Sequence, residues 1–118
     1  MPSKRSFIDV MVKHLPPSAS TLRLLDVGGQ AGERLVEMRP DLKVDVASLY
    51  VPHWEYPADS VDSVVGYDVL LRPDFLAAVL DVMRPGGRMI LVNPHGIVDQ
   101  ALVDALEQVG FVRILVEP

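Results

Sequence analysis

The stretch LRLLDVGGQAGERL at residues 22–35 constrains the fold of this chain more than any other. Residues 22–27 are mostly large and apolar, which favours a strand covered on both faces of a parallel sheet. Gly28, Gly29 and Gly32 follow, and glycine permits positive φ angles and close approach of backbone segments. A helix is predicted after this turn. In open α/β sheets, turns of this kind lie at the carboxyl ends of the strands, where ligands usually bind.

The rest of the chain alternates strand and helix patterns. Helices are predicted at 3–15, 73–83 and 98–109, and a short one runs from the glycine turn through Leu35 and Met38 until Pro40 ends it. Further strands are predicted at 42–46, 61–67, 89–92 and 111–116. The segment 84–87 is predicted to be a turn, and 47–60 a long loop of the kind that is often functional. This order predicts one α/β domain over residues 1–118, with a mainly parallel five-stranded sheet and helices on both faces.

Charge and composition narrow the class of partner. The formal net charge is -5 and no basic stripe is present, which argues against nucleic acid or an anionic membrane as a partner. The chain has no cysteine, and its three histidines lack metal-ligand spacing, so no metal site is predicted. No apolar run reaches membrane-spanning length and no signal-peptide core is visible, so a cytoplasmic protein is expected.

The glycine turn does not match the two commonest phosphate-binding motifs. Counted from Gly28, the dinucleotide pattern Gly-x-Gly-x-x-Gly places Gln30 and Glu33 at glycine positions. No Gly-Lys-Ser/Thr follows, so the turn is not a P-loop either. Both nucleotide-binding classes are therefore set aside.

Four segments resemble class I S-adenosylmethionine-dependent methyltransferases. The segment LLDVGGQAG at 24–32 resembles motif I of that family, acidic-x-Gly-x-Gly-x-Gly. YPADSVDSVV at 56–65, MRPGGRMIL at 83–91 and LEQVGF at 106–111 are similar to three later family segments, in the family's order. The resemblance implies a three-layer Rossmann-like fold and S-adenosylmethionine as cofactor.

The resemblance also implies roles for individual residues. Asp26 would orient the amino group of the cofactor through the turn; alternatively, it only caps the loop and helix. Asp45 lies near the roughly 20-residue offset of ribose-binding acids, or is a solvent-facing residue on an edge strand. Asp68 and His95 are weak catalytic candidates, and a surface histidine is the commoner case. The implied cofactor-binding residues are Asp26, Gly28, Gly29, Gly32, Asp45 and Tyr67.

Two departures from the family pattern bear on activity. Gln30 stands at the central glycine of motif I, where its side chain either obstructs the methionine moiety or turns outward. Between Asp45 and residue 56 the family has a further helix and strand, which this chain replaces with a short loop. His53 and Trp54 on that loop either cover a ligand or fill the gap.

Two functions remain open. The first hypothesis is a small S-adenosylmethionine-binding protein that acts as a methyltransferase on a small-molecule or protein acceptor, a reaction that needs positioning more than a fixed catalytic side chain. Alternatively, it is an inactive methyltransferase-like domain that serves as a binding or dimerisation module. Exposed strand edges at 42–46 or 111–116 make a homodimer or a protein partner plausible.

Overall fold

The computed structural model describes residues 4–15, 22–48, 54–69 and 72–93, together with 104 and 106. The elements, in chain order, are α1 (Lys4–Met11) with a short 3-10 helix (Val12–His14), β1 (Leu22–Val27), α2 (Gly32–Met38), β2 (Leu42–Ala47), β3 (Val61–Tyr67), α3 (Pro73–Val82) and β4 (Met83–Val92). The predicted alternation of strand and helix is confirmed across them. The predicted strand at 111–116 lies outside the described residues, as does the preceding helix except for 104 and 106, which are helical.

The described strands form one parallel sheet in the order β2-β1-β3-β4. β1 pairs with β2 from Leu22 opposite Leu42 to Val27 opposite Ala47. On its other side, Val27 lies opposite Gly66 of β3. All four carboxyl ends therefore meet at one edge of the sheet, which also carries the glycine turn.

Each face of the sheet is covered by helices. Alternate residues of β1 point to opposite faces, as strand geometry requires. Leu24 packs with the buried side of α1 and α2, whereas Leu25 packs with α3. Leu106 is buried on the same face of the sheet as α3. The predicted three-layer sandwich is confirmed.

The predicted turn at 84–87 is wrong. β4 begins at Met83, directly after α3, and Met83 pairs with Val61 while Arg88 pairs with Ser63. The segment 84–87 is therefore a wide bulge opposite Asp62. A Cβ on Gly87 would lie 2.8 Å from the carbonyl oxygen of Asp62, so the bulge packs against β3. Pro-Gly-Gly is typical of turns, but pairing with β3 decides the conformation here.

The helix predicted at 3–15 is also shorter than expected. α1 ends at Met11, and the 3-10 helix that follows leads to Leu15 in an extended conformation. The buried side nevertheless follows the predicted spacing, since Ile8, Met11 and Leu15 all lie in the core.

The loop after β2 packs onto the same face as α3. The indole N–H of Trp54 donates to the carbonyl oxygen of Ser48 at 2.7 Å. Its ring meets that of Phe75 edge-on, with centroids 6.1 Å apart. The Tyr56 hydroxyl donates to the carbonyl oxygen of Val46 at 3.2 Å. Trp54 and Tyr56 thus pack beside β2 and fill the gap there. His53 lies outside the described residues.

The core of α2 yields a test of the packing. Leu35 is fully buried, whereas its neighbour Val36 is 36% exposed. We expect Leu35→Ala to lower the free energy of unfolding by about 2–5 kcal/mol, because truncation leaves a cavity. Val36→Ala is the matched control and should change it by less than about 0.5 kcal/mol. Urea denaturation measures both, and equal losses would contradict the assigned faces of α2.

Candidate functional site

Asp26 is the buried acid at the end of β1. Its side chain is 1% exposed. Oδ2 accepts the backbone N–H of Gly32 at 2.7 Å and that of Ala31 at 3.3 Å. Oδ1 is buried without a hydrogen-bond partner in the described part of the chain. Burial raises the pKa of Asp26, although the two N–H groups and the charge of Lys4 oppose the shift.

The two oxygens of Asp26 bear on the two roles predicted for it, capping of the turn and binding of a cofactor. Capping of the turn and of α2 accounts for Oδ2 alone. A buried carboxylate oxygen without a donor is unfavourable, and native proteins seldom keep one without a reason. Oδ1 is therefore available to a donor that comes from outside the described residues.

The glycine turn is held tightly in place. Gly28 and Gly29 have φ angles of +89° and +73°, a conformation that favours glycine. The N–H of Gly28 donates to the carbonyl oxygen of Ala47 at 2.9 Å, which ties the turn to the end of β2. A Cβ on Gly32 would lie 2.7 Å from Cγ1 of Val44 and 2.9 Å from Oδ2 of Asp26. Glycine is thus required at position 32 by contact rather than by φ.

Lys4 brings together residues from three parts of the chain. Its ammonium group donates to Oε1 of Gln30 at 2.6 Å and lies 5.5 Å from the centroid of the Tyr67 ring. Gln30 is exposed, and its side chain is turned toward α1. Sequence analysis missed Lys4, because helical spacing does not indicate that the first turn of α1 reaches the glycine turn.

Tyr67 and Asp68 follow β3 at the same edge. Tyr67 is half-buried, and Asp68 is exposed with a φ of +58°, which aspartate tolerates better than most residues. The N–H of Asp68 donates to the carbonyl oxygen of Val92 at 2.7 Å. The N–H of Val69 donates to Oδ1 of Asn93 at 3.1 Å, a contact that sequence analysis also missed. The other catalytic candidate, His95, lies outside the described residues.

Asp45 lies on the other side of the sheet from Asp26. It pairs with Leu25, and residues paired in a ladder share a face. Its exposed side chain lines a cleft of about 210 Å³ together with Arg23, Lys43 and Tyr56. Of the predicted cofactor-binding residues, the structure places all but Asp45 at one edge and on one side of the sheet: Asp26, Gly28, Gly29, Gly32 and Tyr67. The role of Asp45 as a ribose ligand stays a prediction.

The described ranges show neither a metal-binding cluster nor a membrane-spanning helix. Those ranges contain no group of three or more histidine or acidic side chains placed to hold a metal ion. None of the helices described there is both long and apolar enough to span a membrane.

Comparison with known proteins identifies the fold. No family model and no curated protein matches the sequence. The structure superposes on the [4+2]-cyclase SpnF with a TM-score of 0.66 at 17% identity, covering 90% of this chain and 56% of SpnF. It superposes on a TehB-like S-adenosylmethionine-dependent methyltransferase from Corynebacterium glutamicum with a TM-score of 0.53 at 17% identity, covering 91% of this chain and 71% of that one.

The chain thus has the class I methyltransferase fold. It spans little more than half the length of SpnF. The names of these two proteins refer to different reactions, a cyclisation and a methyl transfer. The fold is accordingly shared by proteins of different activity, and the activity has to be argued from the site.

Asp26 gives the folded protein a characteristic pH dependence. Its pKa is raised above the ordinary 3.8. Between these two pKa values the folded chain holds a proton that the unfolded chain has released. Stability from this group is therefore present at low pH and is lost as pH rises from about 3.8 through the raised pKa. Relative to Asp26→Asn, the wild type should lose unfolding free energy across that window in urea denaturation at a series of pH values.

Asp9 is the control for this experiment, with the opposite sign. The Arg34 guanidinium, which lies 2.8 Å from Asp9, lowers the pKa of that carboxyl. Relative to Asp9→Asn, the wild type should gain stability as pH rises toward 3.8. A difference between wild type and Asp26→Asn that does not vary with pH would contradict the buried environment of Asp26.

Proposed function

We propose that this chain binds S-adenosylmethionine over the glycine turn and transfers its methyl group to a small-molecule or protein acceptor. The observation that supports this most is the buried Asp26, whose Oδ1 has no donor within the part of the chain that the structure describes. The amino-acid end of the cofactor carries an ammonium group. Such a group is the kind of donor that an unpaired carboxylate oxygen accepts best.

Lys4 adds the complementary charge. An α-amino acid presents a carboxylate beside its ammonium group, and the Lys4 ammonium lies at the same edge as Asp26. An ammonium group has three donors, so Lys4 can keep its hydrogen bond to Gln30 and bind a carboxylate as well. On this proposal Gln30 positions Lys4 and does not obstruct the site.

The other end of the ligand would lie toward β2. Val46 is 63% exposed, and a Cβ on Gly29 would lie 3.1 Å from its Cγ1. An exposed apolar side chain beside the turn suits the flat apolar face of an adenine ring. Asp45 remains the proposed ribose ligand from the same strand, which would require the ribose to reach past the edge strand β2 to the opposite face of the sheet.

The residues of this chain would act mainly by positioning. When bound, the cofactor would supply a sulfonium-linked methyl group, whose carbon bonds to the acceptor as the carbon–sulfur bond breaks and S-adenosylhomocysteine leaves. Asp68 is exposed at the same edge and would accept a proton from an acceptor that needs one removed. His95 remains a second proposed base. We further propose a cytoplasmic location, as the sequence analysis expects.

One observation favours the second candidate function, a binding module without cofactor. Lys4 already contacts Gln30 and Tyr67 across the edge, and its charge partly balances Asp26. In that case Lys4 would serve the folded protein in place of a ligand. The two candidates differ in whether the purified protein binds the cofactor.

Calorimetric titration with S-adenosylmethionine and S-adenosylhomocysteine tests the proposal. We expect saturable binding that Asp26→Ala weakens roughly tenfold to a hundredfold, since a hydrogen bond to a charged group contributes about 1.5–3 kcal/mol. Asp81→Ala on α3 is the matched control and should bind like the wild type. Circular dichroism verifies that both variants are folded.

Each outcome of the titration has a distinct meaning. Unchanged affinity in Asp26→Ala would move the site away from the glycine turn. Absence of binding by the wild type at millimolar ligand would overturn the proposal and leave the binding module as the function.

Lys4 is tested with a pair of ligands. We expect Lys4→Met to weaken S-adenosylhomocysteine by up to about fivefold, because an ion pair of an exposed lysine contributes about 0.2–1 kcal/mol. It should leave 5′-methylthioadenosine unchanged, because that ligand lacks the amino-acid end. Arg5→Met, one residue along α1, is the control and should alter neither. Equal weakening of both ligands would show that Lys4 supports the fold of the site rather than binding a carboxylate.

A further inference from the structure

The outer edge of β2 presents backbone groups to the surroundings. The N–H of Leu22 donates to the carbonyl oxygen of Asp41, and that of Gly28 donates to the carbonyl oxygen of Ala47. Odd-numbered carbonyls therefore point toward β1. Because successive residues of a strand alternate in direction, the N–H and C=O groups of Leu42, Val44 and Val46 point outward.

Part of this edge is satisfied within the chain. The N–H of Leu42 donates to the carbonyl oxygen of Arg39 at 3.1 Å, and the carbonyl oxygen of Val46 accepts the Tyr56 hydroxyl. Within the described ranges, the outward groups that remain without a partner are the C=O of Leu42, both groups of Val44 and the N–H of Val46. These four are arranged symmetrically about Val44.

The charged side chains of β2 are arranged about the same point. Lys43 and Asp45 flank Val44, are exposed, and have no ion-pair partner among the described residues. In an antiparallel pair centred on Val44, Lys43 lies directly opposite Asp45 of the second copy, and Asp45 opposite its Lys43. Opposite charges in directly facing positions stabilise a strand pair, and like charges destabilise it.

We propose that two copies of this chain associate through β2, paired antiparallel and centred on Val44 in one continuous sheet. The N–H and C=O of each Val44 bond to those of the other, and each Val46 N–H donates to Leu42 of the second copy. The groups that this register uses are the ones left without a partner among the described residues. A register centred on Lys43 would place lysine opposite lysine, and one centred on Asp45 would place aspartate opposite aspartate.

The charges of β2 supply the test, which does not depend on cofactor binding. Size-exclusion chromatography with light scattering should give the wild type twice the 13.0 kDa mass of the chain at high micromolar concentration. Lys43→Asp and Asp45→Lys should each weaken the dimer at least tenfold, because each puts like charges opposite one another. The double variant Lys43→Asp/Asp45→Lys restores both ion pairs and should restore the dimer.

Controls separate the proposed interface from general charge effects. Asp81→Lys makes the same charge change on α3 as Asp45→Lys makes on β2, and it should leave the dimer intact. Thermal unfolding monitored by circular dichroism shows that the exposed substitutions leave the fold intact. A monomeric wild type, dimeric single variants, or a double variant that stays monomeric would each overturn the proposal.

Discussion

The hydrogen bonds from Ala31 and Gly32 to the Asp26 carboxylate are the interaction on which the rest of the site depends. They close the turn between β1 and α2 over one side chain, and they set where α2 begins. The close approach leaves no room for a Cβ at Gly32 and brings Leu35 into the core. One buried carboxyl therefore fixes the turn, the start of the helix and part of the packing. Its second oxygen has no hydrogen-bond partner among the described residues, and folded proteins keep such groups mainly at functional sites.

The sheet order explains why Tyr67 and Asp68 lie near this carboxyl. From β1 the chain moves outward to β2, then returns to the other side of β1 with β3. Such a reversal of direction leaves a crevice at the carboxyl ends of the two central strands. The glycine turn borders the crevice on one side, and the residues after β3 border it on the other. α1 covers the same face as α2, and in consequence Lys4 reaches across the crevice to both sides.

Local patterns were sufficient to predict where the described strands lie, although β4 begins at Met83 and not at residue 89. Contacts between distant segments could not be predicted from them. The ends of β1 and β3 follow from apolar runs bounded by glycine or proline segments, and the glycine turn identified Asp26. The bulge at 84–87 could not be predicted, because Pro85 and Gly86 suit a turn equally well until β3 is placed beside them. Lys4 could not be predicted either, since its contacts span 26 residues in the chain. The side of the sheet that Asp45 faces follows only from its register with Leu25.

β2 lies at the edge of the described sheet, so the backbone groups on its outer side have no neighbouring strand there. A strand at the edge of a sheet exposes backbone groups that pair readily with other chains, so proteins cover or disrupt such edges. Here Trp54 and Tyr56 donate side-chain hydrogen bonds to the carbonyl oxygens of Ser48 and Val46, which satisfies these two acceptors. The centre of β2 has charged side chains of both signs instead, at Lys43 and Asp45. A single sign would keep every neighbouring β2 away, whereas alternating signs admit a partner in one register and disfavour the adjacent ones. On the proposed pairing, the centre of β2 is therefore where a second copy of the same strand would extend the sheet.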